Sequence, residues 1–316
     1  MSGVTGFLST PFATRYSAAM KATIGWRRSR WALVALGLSL AIVPARARIE
    51  EPSVRVDVGA RSIQPGELVV LTLTLNAEPA SVAVRAFDRA VPAYKLRDGV
   101  WQALIGIDLE RRPGAYAVDV EARVGAAVVR RRETLTVQPR TFATRRLRVD
   151  PDFVNPPESL LARIESETAF IREVSSRSSA ERLWSAPFRR PVPDPANSRF
   201  GTRSILNGEP RRPHGGTDFL SAAGTPVHAP NAGRVVAARE LFFTGNTVII
   251  DHGMGVMSLL AHLSSMDVRE GDVVATGQLL GRVGATGRVT GPHLHWGLTI
   301  AGARVDPLSA LALLGG

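Results

Sequence analysis

His293-Leu294-His295 sets two imidazoles two residues apart, and on a β-strand such residues project from one face. His214 and Asp218 stand four apart across Gly215-Gly216, a step that lets a loop turn both side chains toward one point. Two imidazoles and a carboxylate form a normal catalytic zinc set with a fourth position open. The chain has no cysteine, which excludes thiolate nucleophiles, Cys-ligated zinc and a disulfide framework. Zinc, or a similar metal held by nitrogen and oxygen, is the economical expectation. All 6 histidines occur from His214 onward, which puts the chemistry in the last third of the chain. Spacing leaves open how His262, in Leu260-Ala261-His262-Leu263, shares the work with the His-x-His pair. His228, between Pro226 and Pro230, and His252, in a turn after an apolar strand, read as structural.

The elements that must position these residues are mainly β. Residues 53–58, 68–75, 81–86, 101–109, 116–122 and 127–137 are apolar or alternating and rich in Val, Leu and Thr. Gln64-Pro65-Gly66, Asp98-Gly99 and Arg112-Pro113-Gly114 punctuate them as turns. This spacing predicts an immunoglobulin-like β-sandwich over 51–140, which lacks histidine and reads as a spacer or targeting domain. Residues 141–197 form a helical and Pro-rich linker: Pro157-Glu158-Ser159 opens a helical pattern over 156–183, and four prolines follow between 187 and 195. From 198 to 316 the chain is strand-like and Gly-rich.

Of the formal net charge of +11, six units lie in residues 1–47, which contain no acid. There a basic head, Trp26-Arg27-Arg28-Ser29-Arg30, precedes an apolar run to Val43 and then Pro44-Ala45-Arg46-Ala47. That order predicts a signal peptide over 1–47 and an exported protein of the periplasm or cell envelope, with no membrane span in the mature form. The remaining cations are spread along the chain without interleaved aromatics, so nucleic acid is not an expected partner.

Taken in order, the motifs resemble those of the M23 (lysostaphin/LytM-type) zinc endopeptidases of bacterial peptidoglycan. The resemblance covers about 198–308. It is carried by Phe200-Gly201-Thr202-Arg203, His214-Gly-Gly-Thr-Asp218-Phe219, Gly224-Thr-Pro-Val227, Ile250-Asp-His-Gly253, Ala261-His-Leu-Ser264 and Thr290-Gly-Pro-His-Leu-His-Trp296. It implies a C-terminal antiparallel β-sheet peptidase domain in which His214, Asp218 and His295 bind Zn2+ while His262 and His293 are catalytic. Many members carry Tyr two residues before the histidine of the third motif; this chain has Leu260, and no Tyr occurs in 198–316.

The resemblance further implies a metalloendopeptidase that hydrolyses peptide cross-links between peptidoglycan stem peptides in cell-wall remodelling. No glutamate adjoins a metal-binding histidine as in His-Glu-x-x-His proteases, so imidazole must replace that general base. Two other classes compete: a non-catalytic envelope regulator that activates a cell-wall amidase, and a peptidoglycan-binding adaptor led by the β-sandwich. A cell-envelope regulatory protein is a further partner under the first of these.

Overall fold

A computed structural model describes residues 50–148, 151–198 and 200–315. The expected signal segment, 1–47, lies outside the described residues. No helix among the described residues is long and apolar enough to cross a membrane.

The first strands are β1 (Val54–Ala60), β2 (Leu68–Leu75), β3 (Ser81–Ala86), β4 (Arg89–Val91), β5 (Ala93–Arg97), β6 (Val100–Gly106), β7 (Gly114–Val124) and β8 (Ala127–Val137). They make two four-stranded antiparallel sheets, ordered β1-β2-β6-β5 and β4-β3-β7-β8. Leu71, Leu73 and Ile105 from one sheet pack against Val84, Val118 and Leu135 from the other. β4 and β5 escape the sequence reading for a local reason. The β3–β4 turn puts Phe87 and Asp88 at φ 51° and 62°, a conformation ordinarily signalled by Asn-Gly or Asp-Gly. A Phe-Asp pair carries no such signal.

β2 shows how the sandwich meets the rest of the chain. Val69, Leu71 and Leu73 face the sandwich core, whereas Leu68 and Val70 point the other way and are also buried. These two, with Tyr94 and Leu104, join Trp184, Leu298, Ile300 and Val305 in a second core. Gly106 makes the approach possible, because a Cβ there would lie 2.8 Å from Ala303 Cβ and 2.9 Å from Val305 Cγ2. Residues 50–316 therefore form one compact unit.

β9 (Thr144–Leu147) lies inside the expected linker and is too short to announce itself. It runs parallel to β11 (Arg203–Leu206), which also pairs with β12 (Glu209–Pro210); β10 (Ala196–Ser198) precedes them. Helix α1 (Glu158–Ser176) lays Phe170 and Val174 over Ala237, Ile249 and Met257. It stops before the expected 183, and Asp251 takes Ser178 Oγ (2.6 Å) and the Ser179 amide (2.7 Å) just beyond it.

The large sheet contains β13 (Gly216–Phe219), β14 (Pro226–His228), β15 (Gly233–Leu241), β16 (Gly245–Gly253), β17 (Val256–Met266), β18 (Val273–Val274), β19 (Leu279–Val283), β20 (Leu294–Ile300) and β21 (Ala303–Val305). Its main path runs β10-β13-β20-β17-β16-β15-β18, and α2 (Pro307–Leu314) closes the described chain. Along β20 the core face carries Leu294, Trp296, Leu298 and Ile300, all buried, which leaves His295 on the opposite face.

A buried polar network fastens the junction. Glu67, 2% exposed, accepts from Arg61 (2.8 and 3.0 Å), Arg140 (3.0 Å) and Ser309 Oγ (2.8 Å). Asp306 caps α2 through the Leu308 amide and accepts from Arg61 and from Thr217, the neighbour of Asp218. Because one core spans the junction, urea should unfold the chain in a single transition followed by tryptophan fluorescence. Glu67→Ala removes the buried carboxylate that Arg61, Arg140 and Ser309 share, leaving Asp306 to hold Arg61, and should lower the unfolding free energy by about 2 kcal/mol. Two separated transitions in the parent protein, or an unchanged midpoint in the variant, would contradict the shared junction.

Candidate metal centre

The centre is built on one cross-strand pair. β13 and β20 are antiparallel with Asp218 opposite His295, so carboxylate and imidazole emerge side by side. His295 Nδ1 lies 2.9 Å from Asp218 Oδ1. The Gly215-Gly216 step returns His214 to the same point, with Nε2 3.0 Å from Asp218 Oδ1 and 3.0 Å from His295 Nδ1. Gly216 is needed here for space: a Cβ would sit 2.6 Å from both Cε1 and Nε2 of His295.

These three donor atoms form a triangle with sides of 2.9–3.0 Å. With Asp218 ionised, each imidazole can donate to the carboxylate, but the nitrogen–nitrogen side then sets two donors face to face. A cation at the centre removes that conflict. Ligands bound at about 2.0–2.1 Å around tetrahedral zinc stand about 3.4 Å apart, so a small expansion of the triangle admits the ion. Among the described residues, the His214–Asp218–His295 group meets the geometric requirement for a metal site, its candidate ligand atoms lying within 4.8 Å of one another. Burial alone would raise the Asp218 carboxyl, but hydrogen bonds from His214 and His295 outweigh it and hold the group well below the ordinary carboxylate range. Burial acts on His295 in the opposite sense and lowers its proton affinity, which favours the neutral, ligating form.

The other two expected site residues are brought to the same place by different devices. His293 enters β20 through a bridge to Gly284. Its Nδ1 lies 2.9 Å from the Gly291 carbonyl, which can only accept, so Nδ1 carries the proton and Nε2 is left open. That Nε2 stands 3.9 Å from Asp218 Oδ1. His262 sits at a β-bulge. Asn246 pairs with Leu263 and Val248 with Leu260, so Ala261 and His262 together face Thr247. At φ 66° His262 occupies the left-handed region, which re-aims its ring toward the other histidines. Its centroid lies 4.8 Å from that of His293 and 6.0 Å from that of His295. His262 Nδ1 donates to the Thr286 carbonyl at 2.8 Å, so it too keeps Nε2 free. Burial, reinforced by the fields of His295 and His293, pushes the His262 imidazole down to about 3 and keeps it neutral near pH 7.

Sequence reasoning did not reach Thr286. Its hydroxyl accepts from the Asn246 amide (2.9 Å) and donates to the Leu263 carbonyl (2.9 Å), which pins the loop after β19 to the bulge. The pattern Gly284-Ala-Thr-Gly287 carries no catalytic side chain, so no signal singled it out. His228 lies in β14, outside the cluster. His252 is fully buried; its Nδ1–H donates to the Ala232 carbonyl (2.8 Å) and its Nε2 accepts from Ser258 Oγ (2.9 Å), which also accepts from Trp296 Nε1 (3.1 Å).

Comparison with known proteins converges on the same segment. The family model for peptidase family M23 matches residues 212–307. Peptidoglycan DD-endopeptidase ShyA of Vibrio cholerae is 42% identical over 125 residues, 37% of this chain and 29% of the relative. The DD-carboxypeptidase/endopeptidase Mpg of Neisseria meningitidis is 44% identical over 113 residues, 36% and 26% of the two chains. The match thus spans less than a third of the length of either curated relative. The crystal structure of a candidate M23 peptidase from Pseudomonas aeruginosa superposes with a TM-score of 0.63 at 32% identity, covering 81% of this chain and 97% of that one.

His252 yields a pH prediction. Burial lowers its imidazole from 6.5 to about 4, so the unfolded chain binds this proton first as pH falls. Stability is unaffected by this group above pH 6.5 and is lost progressively between 6.5 and 4. The unfolding free energy of His252→Gln from urea titrations, compared with that of the parent over that window, should fall less steeply by about 3 kcal/mol in total. Equal slopes would show that His252 titrates as it would in water.

Proposed function

This chain belongs to peptidase family M23, and from that premise we propose that it is an exported zinc endopeptidase that cuts DD cross-links between peptidoglycan stem peptides. The observation that carries the reading is the donor triangle of His214 Nε2, Asp218 Oδ1 and His295 Nδ1, flanked by the His262 and His293 rings, each with its Nδ1 tied to a backbone carbonyl. The donor set of two nitrogens and one oxygen, without sulfur, suits zinc. When bound, the ion supplies Lewis acidity at an open coordination position.

The chain's own groups account for the protons. Amide hydrolysis requires one group to take a proton from the attacking water and one to protonate the departing amine. The open Nε2 atoms of His262 and His293 suit these tasks. Their Nδ1–H groups, tied to Thr286 and Gly291, hold each ring in the tautomer that can accept. After accepting, the imidazolium can return its proton to the amine or stabilise charge on the carbonyl oxygen. Leu260, where many members carry Tyr, is wholly buried and contributes packing only.

The rest of the chain is read in the same frame. The strand orders β1-β2-β6-β5 and β4-β3-β7-β8 match the ABED and C′CFG sheets of an immunoglobulin-like sandwich, which supports that identity for 51–140. Residues 141–197 connect it to the peptidase domain at 198–316, and the basic, apolar and small-residue order of 1–47 supports export. The name of the Vibrio cholerae relative, a peptidoglycan DD-endopeptidase, supports peptidoglycan as substrate, and that of the Neisseria relative supports DD-endopeptidase activity.

Mass analysis of fragments released from purified cross-linked peptidoglycan tests the activity. Zinc-loaded protein should convert cross-linked stem peptides to uncross-linked ones, and intact cross-links after exhaustive digestion would refute the reading. His295→Ala should lose both stoichiometric zinc and turnover; a fully loaded His295→Ala protein would remove it from the ligand set. His293→Ala and His262→Ala should keep zinc while the rate falls by about two to four orders of magnitude. Zinc-free His293→Ala protein would make that residue a ligand.

A further inference from the structure

The cations that are scattered in sequence converge in the fold. A cleft of about 680 Å³ opens between the sandwich and the β9–β11–β12 sheet, lined by Arg111, Arg112, Arg140, Arg203 and Arg211. Glu110 is the one acid among its lining residues, and Arg304 already engages it at 2.7 Å. Arg140 is held by the buried Glu67 and Arg211 by Glu209. Arg111 is steadied over the rings of Phe87 (4.7 Å) and Tyr116 (5.3 Å). Among the described residues Arg111, Arg112 and Arg203 have no carboxylate within ion-pair distance, and Arg112 and Arg203 are exposed.

The cleft adjoins the segment of chain that carries His214. Pro213 lines it, and His214 is the next residue. The chain beside Arg203 is laced to His214 by Gly201 N to His214 O (2.8 Å) and His214 N to Thr202 O (2.9 Å). Arg288, on the loop that holds His262, continues the positive surface: it lies over Phe243 at 4.6 Å and has no carboxylate partner among the described residues. Burial, together with the nearby charge of Arg211, lowers its proton affinity.

We propose that this arginine-lined cleft is a subsite for the free carboxylates of an acidic peptide whose scissile bond lies at the metal centre, with Arg112 and Arg203 as the principal contacts. The proposal rests on the peptidase function given above. Guanidinium groups pair with carboxylates through two parallel hydrogen bonds, which gives orientation as well as attraction. The cleft's continuity with the segment bearing His214 favours a peptide over a nucleic acid, whose bases would need exposed aromatic platforms.

The test uses two soluble cross-linked stem peptides, one with free carboxylates and one with those groups amidated, with the zinc-loaded full chain. The protein should prefer the free acid by about tenfold in kcat/KM, through KM, and the preference should shrink as salt rises. Arg112→Gln/Arg203→Gln should abolish most of that preference, whereas Arg112→Lys/Arg203→Lys should retain part of it. Zinc content and urea midpoint verify that each variant is folded; Arg112→Gln alone, at an exposed turn, should reduce the preference about threefold if the double variant is not. Equal turnover of the two peptides by the parent protein would overturn the subsite and leave the peptidase reading intact. Failure of fully zinc-loaded protein to cut either peptide would overturn that reading and the subsite with it. A DNA duplex that abolishes turnover at equimolar concentration, with no preference for the free acid, would assign the cleft to nucleic acid instead.

Discussion

The structure turns on one cross-strand pair, Asp218 opposite His295. A carboxylate on one strand and an imidazole on its neighbour are placed within contact by β geometry alone, with no long loop to order. The sheet then constrains everything around them. Trp296 and Leu294 fill the core beneath, so His295 is directed outward, and Gly216, two residues before Asp218 on β13, leaves the room its ring needs. A one-residue slip of β20 against β13 would bury the histidine and expose the tryptophan. The apolar alternation of β20 thus fixes the geometry of the donor triangle as firmly as the donor side chains do.

The second device is backbone strain placed beside the centre. His262 holds a left-handed conformation at a bulge, at an energetic cost met by the surrounding ladder and by the Thr286 contacts. Together with the Gly291 carbonyl, this sets both non-triangle imidazoles in one tautomer before any substrate arrives. A rigid sheet carries the donor triangle, and the loop between β19 and β20 supplies the carbonyls that hold His262, at the β17 bulge, and His293. Behind them, the Glu67–Asp306 network joins β13 and α2 to the sandwich, so the far domain shares a core with the chemical one.

Much of this was legible in the residues. The Gly-Gly step and the His-x-His spacing pointed to side chains gathered at one place: the candidate ligand atoms of His214, Asp218 and His295 lie within 4.8 Å of one another, and His293 Nε2 stands 3.9 Å from Asp218 Oδ1. Six of the eight sandwich strands announced themselves by alternation and by Pro-Gly and Asp-Gly turns; β4 and β5 did not, because Phe87-Asp88 makes the tight turn without a glycine. The bulge at His262 was invisible, since a bulge is a relation between two strands and neither sequence shows it alone. The arginine cleft was invisible for the same reason: Arg112, Arg140 and Arg203 are dispersed along the chain and meet only when β9 aligns with β11. Local periodicity reports which face is buried, whereas strain and charge convergence are tertiary.

The central proposal is that one zinc ion is held by two imidazoles and one carboxylate while two further imidazoles stand by uncoordinated. X-ray absorption at the zinc edge of the purified, stoichiometrically loaded protein addresses it directly. The account predicts nitrogen and oxygen ligands at about 2.0–2.2 Å, no sulfur, and outer-shell scattering from two imidazoles per zinc. Scattering from three or four imidazoles would bring His293 or His262 into the coordination sphere and contradict the division of labour between ligands and proton-handling groups.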